Sequence, residues 1–271
     1  MYSESVAHPS SADASQPEPV ASDLALRGAS AEVAVPNSVW VAALLSAAAR
    51  FAPLPFLDDL IIGRIQRHLV TQALARHGRS YDRRKVAALY EDPEGCLEGC
   101  LTWLVKLPLA LILFPIRKLW GIVQAVRGFS KDVVDTLLLA RCIDRSLARG
   151  LLADGSQERW LTSQATIVRR AHFLALGATD LQLLKSSLSQ VLSRSGLPRQ
   201  AQRLLRRVRR QDRDVNSPEA LAAQAPELAA GVAELNQVLA QPELVALFVA
   251  FDERFDAALA QALHQAQRDL G

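Results

Sequence analysis

Residues 97–126 read LEGCLTWLVKLPLALILFPIRKLWGIVQAV, and they decide how the rest of the chain is interpreted. Only four of these thirty residues are charged, and residues 107–116 are apolar without interruption. A straight helix needs about 20 apolar residues to cross a bilayer, so this run is too short to span a membrane alone. It is also apolar on every side, unlike a surface helix with one apolar stripe. The sequence therefore predicts either a buried core helix or a helix that dips into a membrane.

Two prolines, Pro108 and Pro115, lie within this apolar run. A proline inside a helix removes a backbone hydrogen bond, so we expect the helix to kink or break there, as in a helical hairpin. Basic and Trp residues flank the run, as is typical of segments whose ends reach lipid headgroups. The residues expected here to contact a membrane or an anion are Trp103, Lys106, Leu107, Phe114, Arg117, Lys118 and Trp120.

A second uncharged run, residues 39–49, reads VWVAALLSAAA and has Trp40 near its start. Like the first run, it suits either a membrane contact or the core of a soluble protein. Both interpretations remain open from the sequence alone.

Helix signals dominate the chain from Val33 onward, and no segment alternates polar and apolar residues as a strand does. Asp92-Pro93-Glu94 and Ser217-Pro218-Glu219 each combine a cap, a proline in the first helical position and an acid. The sequence predicts an all-α, multi-helix bundle. The predicted helices cover residues 38–51, 56–77, 81–91, 93–126 (broken), 130–152, 156–176, 180–195, 198–213, 218–224, 227–240 and 243–266.

Composition divides the chain into three parts. Residues 1–32 are rich in Ser, Pro and acids and have few large apolar residues, which predicts a disordered acidic tail. We expect an apolar helical module over 33–154 and a polar helical region over 155–271. Basic residues outnumber acids twelve to five over 151–216, whereas acids outnumber bases eight to two over 217–271.

The sharpest charged feature is the run RQAQRLLRRVRRQDR at residues 199–213, within the predicted basic helix 198–213. A basic amphipathic helix can lie on an anionic membrane. It can equally follow nucleic-acid phosphates, but no aromatic residue is interleaved for base stacking, which argues against nucleic acid as the partner. It can also pair with the acidic 217–271 segment or a protein partner, or be solvated. The predicted anion contacts are Arg203, Arg206, Arg207 and Arg210.

No pattern of catalytic, metal-binding or cofactor-binding residues is present in the sequence. The five histidines include no pair at three- or four-residue spacing, and no phosphate-binding glycine loop or nucleophile motif occurs. Cys96 and Cys100 lack the further ligands of a zinc site. We expect Cys142 to be a small residue of the hydrophobic core. We therefore predict no catalytic residue, no metal and no cofactor, and the sequence favours a non-enzymatic protein over an enzyme.

Residues 52–89 read APLPFLDDLIIGRIQRHLVTQALARHGRSYDRRKVAAL. A Pro-x-Pro entry, acids in the first helical turn, a helix-ending Gly78 and a second helix resemble the opening of EcsC-like helical proteins. The resemblance implies an all-helical fold, frequently membrane-associated, and it supplies no catalytic residues.

The favoured function is therefore a non-enzymatic, cytoplasmic protein that associates with the inner face of a membrane. The apolar hairpin would insert, and the basic helix would hold anionic headgroups. The alternatives are a soluble helical scaffold or interaction protein with the apolar segments as its core, and nucleic-acid binding through the arginines.

Overall fold

The computed structural model describes residues 35–49, 57–81, 84–90, 114–153, 158–210 and 226–270. For residues 57–61, 114–127, 207–210, 226–227 and 269–270 it describes the helical backbone only. The predicted tail 1–32, the apolar residues 107–113 and the predicted helix 218–224 lie outside the described residues.

The described residues form eight α-helices and one short 3-10 helix and contain no strand, which confirms the predicted all-α bundle. The elements in chain order are α1 (Asn37–Ala49), α2 (Leu57–Arg76), the 3-10 helix (Ala87–Leu89), α3 (Phe114–Ala148), α4 (Glu158–Ala178), α5 (Gln182–Ser195), α6 (Leu197–Arg210), α7 (Pro226–Leu239) and α8 (Pro242–Leu270).

Helix α1 lies at the centre of the bundle and is buried on every side. All its residues from Ser38 to Ala49 are buried, and the helix packs against α2, α3, α6 and α7. The uncharged run at 39–49 is therefore core, and its lack of a polar face follows from having protein all round. Trp40 is fully buried and does not lie at an interface with lipid.

Helix α3 is longer than the sequence predicts. The expected break between residues 126 and 130 is wrong, because the helix continues through Gly128 and Phe129. A glycine costs a helix interior only about 1 kcal/mol, and the burial of Phe129 offsets that cost. Pro115 is the second residue of α3, where its missing N–H group has no helical partner to lose.

The predicted helix over 81–91 is also wrong for the residues described there. They form a turn and the 3-10 helix, which bring Leu89 and Tyr90 into the core. Before this turn, the Arg79 guanidinium donates to the carbonyl oxygens of Leu147, at 3.2 Å, and Leu152, at 2.9 Å. The Leu147 oxygen also accepts from the Gly150 N–H at 3.0 Å, so Arg79 adds to the backbone bonds that cap the end of α3. The segment that contains Arg79 is therefore hydrogen-bonded to the C-terminal end of α3 and the residues that follow it.

Helices from both predicted regions pack together. Helix α6 lies against α1, and α5 lies against α3. The Trp40 indole Nε1–H donates to the Asn236 side-chain oxygen at 2.8 Å, which joins α1 to α7. The division of the chain into the two helical regions nevertheless stays a prediction.

The close approach of α7 to α6 gives a stability test. A Cβ atom at Gly231 would lie 2.6 Å from Cδ2 of Leu197, which is fully buried. We expect Gly231→Ala to lower the free energy of unfolding by about 1–3 kcal/mol in urea titrations, the usual cost of overpacking. Gly177→Ala is the matched control, since no described atom lies within 4 Å of its added Cβ. It should be neutral or stabilising by up to about 1 kcal/mol. Equal effects of the two changes would contradict the close packing.

Candidate functional site

Helix α6 turns its apolar residues toward the protein and its arginines toward solvent. Leu197, Ala201, Leu204 and Leu205 are buried, at a spacing that places them on one side of the helix. Arg199, Arg203 and Arg206 recur every three to four residues and are exposed. We call these three residues the arginine face. Because the apolar side is used in packing, only the arginine face remains to meet a partner.

The arginine face makes no ion pair with any residue that the structure describes. The sequence left open whether these arginines pair with the acidic 217–271 segment. For the described part of that segment, Asp252 and Asp256 on α8 bind arginines of α3 instead. The positive charge on α6 is thus not neutralised by the acids seen in α8.

The pairing between α3 and α8 forms a ladder of three arginines, Arg141, Arg145 and Arg149, and two aspartates. Arg141 donates to Asp252 from Nε at 2.9 Å and from Nη2 at 2.7 Å, a bidentate pair. Arg145 donates to Asp256 at 2.9 Å and 2.6 Å and reaches Asp252 at 3.2 Å. Arg149 also donates to Asp256.

The ladder controls the ionisation of its outer carboxyl group. Burial raises the pKa of Asp256, but the hydrogen bonds and charges of Arg145 and Arg149 outweigh that effect and hold the pKa below its usual value. Sequence reasoning missed this cluster, although a signal was present. Arginines at 141, 145 and 149 and aspartates at 252 and 256 each share one helix face at four-residue spacing.

The other predicted contact residues are placed only in part. Trp103, Lys106 and Leu107 lie outside the described residues, so their role stays a prediction. Phe114, Arg117, Lys118 and Trp120 lie in the first two turns of α3, and Arg207 and Arg210 lie in the last turn of α6, all with the backbone alone described. Among the described residues, no helix has the length and hydropathy needed to cross a membrane.

A second candidate site is a partly open cavity of about 150 Å³ lined by residues of α1, α2, α3 and α4. Its buried polar side chains are Ser46, Asp132, Thr136 and His172. Its half-buried polar side chains are Gln66, Asp135 and Arg169. Phe173, which is 47% exposed, also lines the cavity and marks its outer end.

His172 is the most unusual group in this cavity. It is only 2% exposed, and neither ring nitrogen has a hydrogen-bond partner among the described residues. Burial, together with the charge of Arg169, lowers the pKa of His172 to about 3. The imidazole is therefore neutral at physiological pH and offers one N–H donor and one nitrogen acceptor to the cavity.

This cavity was not predicted from the sequence. Its members come from four helices, and the periodic signal within each helix, such as the four-residue spacing of Asp132 with Thr136 and of Arg169 with Phe173, does not show that the four helices meet. Nothing in the described residues groups three or more His, Cys, Asp or Glu side chains as a metal site would. Cys142 is buried in the core, and burial raises its pKa well above the usual value, so it is held as an unreactive thiol.

The low pKa of His172 predicts an acid-sensitive fold. The unfolded chain takes up a proton at this residue near pH 6.5, whereas the folded chain does so only near pH 3. The unfolded state therefore binds more protons between these values, and stability is lost as the pH falls. Between about pH 7 and pH 5 this group alone should lower the free energy of unfolding by about 2 kcal/mol.

Urea unfolding of the parent protein and of His172→Phe at both pH values measures this loss, which the variant should not show. His264→Gln is the control, because that ring is exposed to water in the folded chain. An unchanged pH dependence in His172→Phe would contradict the assignment.

Comparison with known proteins gives this chain no relative: no family model matches it, and no curated protein or solved structure is significantly similar. The likeness of residues 52–89 to EcsC-like proteins therefore stays a prediction.

Proposed function

We propose that this protein is a non-enzymatic helical protein that docks on the anionic, cytoplasmic face of a membrane through α6. One observation carries the proposal. The arginine face is exposed and has no ion-pair partner in the described part of the chain, while the apolar side of α6 is held in the core. A row of guanidinium groups on a helix whose apolar side is packed in the core suits a surface of phosphate groups.

The strength of this contact can be estimated from the charges. Each basic residue near an anionic surface contributes about 1 kcal/mol, so the three exposed arginines together contribute about 3 kcal/mol. Arg207 and Arg210 continue the run toward the end of α6. From residue 199 to residue 210 the helix rises about 16 Å, so the arginines meet several headgroups.

Electrostatic docking of this size is weak and easily reversed, and stable membrane association ordinarily needs a second contact. We assign that role to the apolar residues 107–116, the last three of which are the first residues of α3. Their flanking residues Lys106, Arg117 and Lys118 have the chemistry to remain at the headgroup level. Because α1 lies in the core, residues 107–116 are the longest apolar run of the sequence that remains for insertion.

Vesicle sedimentation tests the arginine face. The triple variant Arg199→Gln, Arg203→Gln, Arg206→Gln should bind vesicles of mixed phosphatidylglycerol and phosphatidylcholine about 100-fold more weakly at low salt, because about 3 kcal/mol of attraction is removed. The difference should disappear in about 1 M salt, where the screening length is about 3 Å.

The matched control removes the same charge from exposed positions elsewhere: Arg64→Gln, Arg159→Gln, Arg170→Gln. This variant should keep most of the parental binding. Equal weakening of both variants would mean that net charge alone matters and would contradict docking through α6. Binding to pure phosphatidylcholine vesicles with equal strength, or to DNA in preference to vesicles, would also contradict it.

A salt wash of the bound protein tests insertion of residues 107–116. The parent should stay on the vesicles after the wash, whereas Leu109→Asn combined with Ile112→Asn should be released, because polar amides are costly to bury in hydrocarbon. The control variant Leu174→Asn, Leu183→Asn changes two exposed leucines and should behave as the parent.

Thermal unfolding of the same variants separates insertion from a structural role. If residues 107–116 belong to the protein core, Leu109→Asn with Ile112→Asn lowers the melting temperature sharply. A lowered melting temperature with unchanged retention on vesicles would exclude the insertion step.

A further inference from the structure

We propose that residues 1–34 of this same chain bind the arginine face and compete with phosphate surfaces for it. The competition rests on the docking through α6 proposed above, whereas the contact itself does not depend on a membrane. Three features support it: the charges around α6, the charges of residues 1–34, and the place where those residues join the bundle.

The first feature is the lack of acids close to the arginine face. Residues 181–211, which include α5 and α6, contain eight basic residues and no acid. Helices α1, α5 and α7 pack against α6. Helix α1 has no charged residue, and the charged residues of α5 are all basic. Among the described side chains of α7, only the exposed Glu234 is acidic. An acidic partner for the arginine face must therefore come from another part of the chain or from another molecule.

The second feature is the opposite charge of residues 1–34. The acids among them are Glu4, Asp13, Glu18, Asp23 and Glu32, and the one base is Arg27. Asp13, Glu18 and Asp23 follow one another at intervals of five residues, which is up to about 17 Å of extended chain. The arginine face extends about 10 Å along α6. Three carboxylates can therefore meet the three guanidinium groups at once.

The third feature is the place where these residues join the described chain. The Val35 carbonyl oxygen accepts from Nδ2 of Asn236 at 3.4 Å, so the chain enters the bundle beside α7. Gly231, five residues earlier on α7, is packed against Leu197 at the start of α6. Five helical residues rise about 7.5 Å, which places Val35 within about 25 Å of the first turn of α6. Asp23 lies twelve residues before Val35, and twelve extended residues reach about 40 Å. The chain is therefore long enough for its acids to reach the arginine face.

Attachment to the same chain makes such a contact effective although each exposed ion pair is weak. A tethered segment acts at an effective concentration on the order of millimolar, so it competes well with a sparse set of phosphate groups. A surface dense in phosphate attracts the arginines more strongly and displaces the segment. Residues 1–34 would thereby restrict docking to strongly anionic membranes.

Side-chain NMR of the full chain tests the contact without any membrane. We call the change Asp13→Asn, Glu18→Gln, Asp23→Asn the acid variant. At low salt it should shift the Nε–H resonances of the arginine face and leave that of the exposed Arg64 unchanged. In about 1 M salt, where the screening length is about 3 Å, the parent and the acid variant should give the same resonances. Identical resonances at low salt would overturn the proposal.

Two other occupants of the arginine face give different results in this experiment. If residues 211–225 cover it, Asp212→Asn with Asp214→Asn and Glu219→Gln produces the shifts and the acid variant does not. If a second copy of the chain covers it, the shifts depend on protein concentration, whereas a contact within one chain does not. Either result would exclude residues 1–34 as the occupant.

Vesicle sedimentation tests the competition. On vesicles poor in phosphatidylglycerol the acid variant should bind about 5-fold more tightly than the parent, whose affinity is reduced by the fraction of molecules with a free arginine face. The gain should shrink on vesicles rich in phosphatidylglycerol. The matched control Glu234→Gln, Glu243→Gln, Glu253→Gln removes the same charge from exposed positions and should gain clearly less. Equal gains in the two variants would contradict the competition.

Combining the changes separates this proposal from membrane docking. Once the arginine face is changed to Gln, the acid variant should gain no more than the control does, because coupled groups are not additive. NMR shifts without any vesicle binding would keep the contact and exclude its role in docking. Vesicle binding that depends on the arginine face, without the NMR shifts, would keep docking and overturn the contact.

Discussion

A helix with no polar face has to be surrounded, and α1 imposes this requirement on the whole bundle. Its small residues, among them Ala42, Ala43, Ala47 and Ala48, let neighbouring backbones come close, while Trp40 and Leu44 fill larger spaces. Burial of apolar surface contributes about 25 cal/mol per Å², and α1 offers such surface in every direction. Helices α2, α3, α6 and α7, which lie between Leu57 and Leu239 in the sequence, meet because α1 lies between them.

This arrangement also explains where the polar groups are found. Helices that cover α1 place their charged residues outward or against one another, as the arginine face and the α3–α8 ladder do. Ser46, near the end of α1, is one of the few polar atoms that the central helix carries inward. It faces the cavity that His172 also lines. A buried polar residue of the central helix thus lies beside other buried polar groups of the described core, Asp132, Thr136 and His172.

Helix existence and most boundaries were predictable because caps, glycines and apolar periodicity act locally. Gly196, with a φ of 67°, ends α5 as the sequence indicates. The continuation of α3 through Gly128 was not predictable, since it depends on tertiary burial of Phe129. The exposure of Arg203 and Arg206 followed from helical spacing. The cavity could not be predicted from helical spacing. The burial of His172 depends on the packing of four helices, which no local sequence pattern indicates.

The four-residue repeat of the ladder between α3 and α8 is compatible with more than one register of the two helices. Arginines at 141, 145 and 149 repeat every helical turn, as do Asp252 and Asp256, so sliding α8 by one turn, about 5.4 Å, preserves most of the ion pairs. Such a repeated set of ion pairs attracts the two helices but does not determine the register of α8 relative to α3. Phe248, Phe251 and Phe255 on α8 are fully buried in the core, and closely packed side chains of this size tolerate little displacement. The position of α8 along α3 is thus set by the packing of these aromatic side chains, whereas the ion pairs contribute attraction without fixing that position.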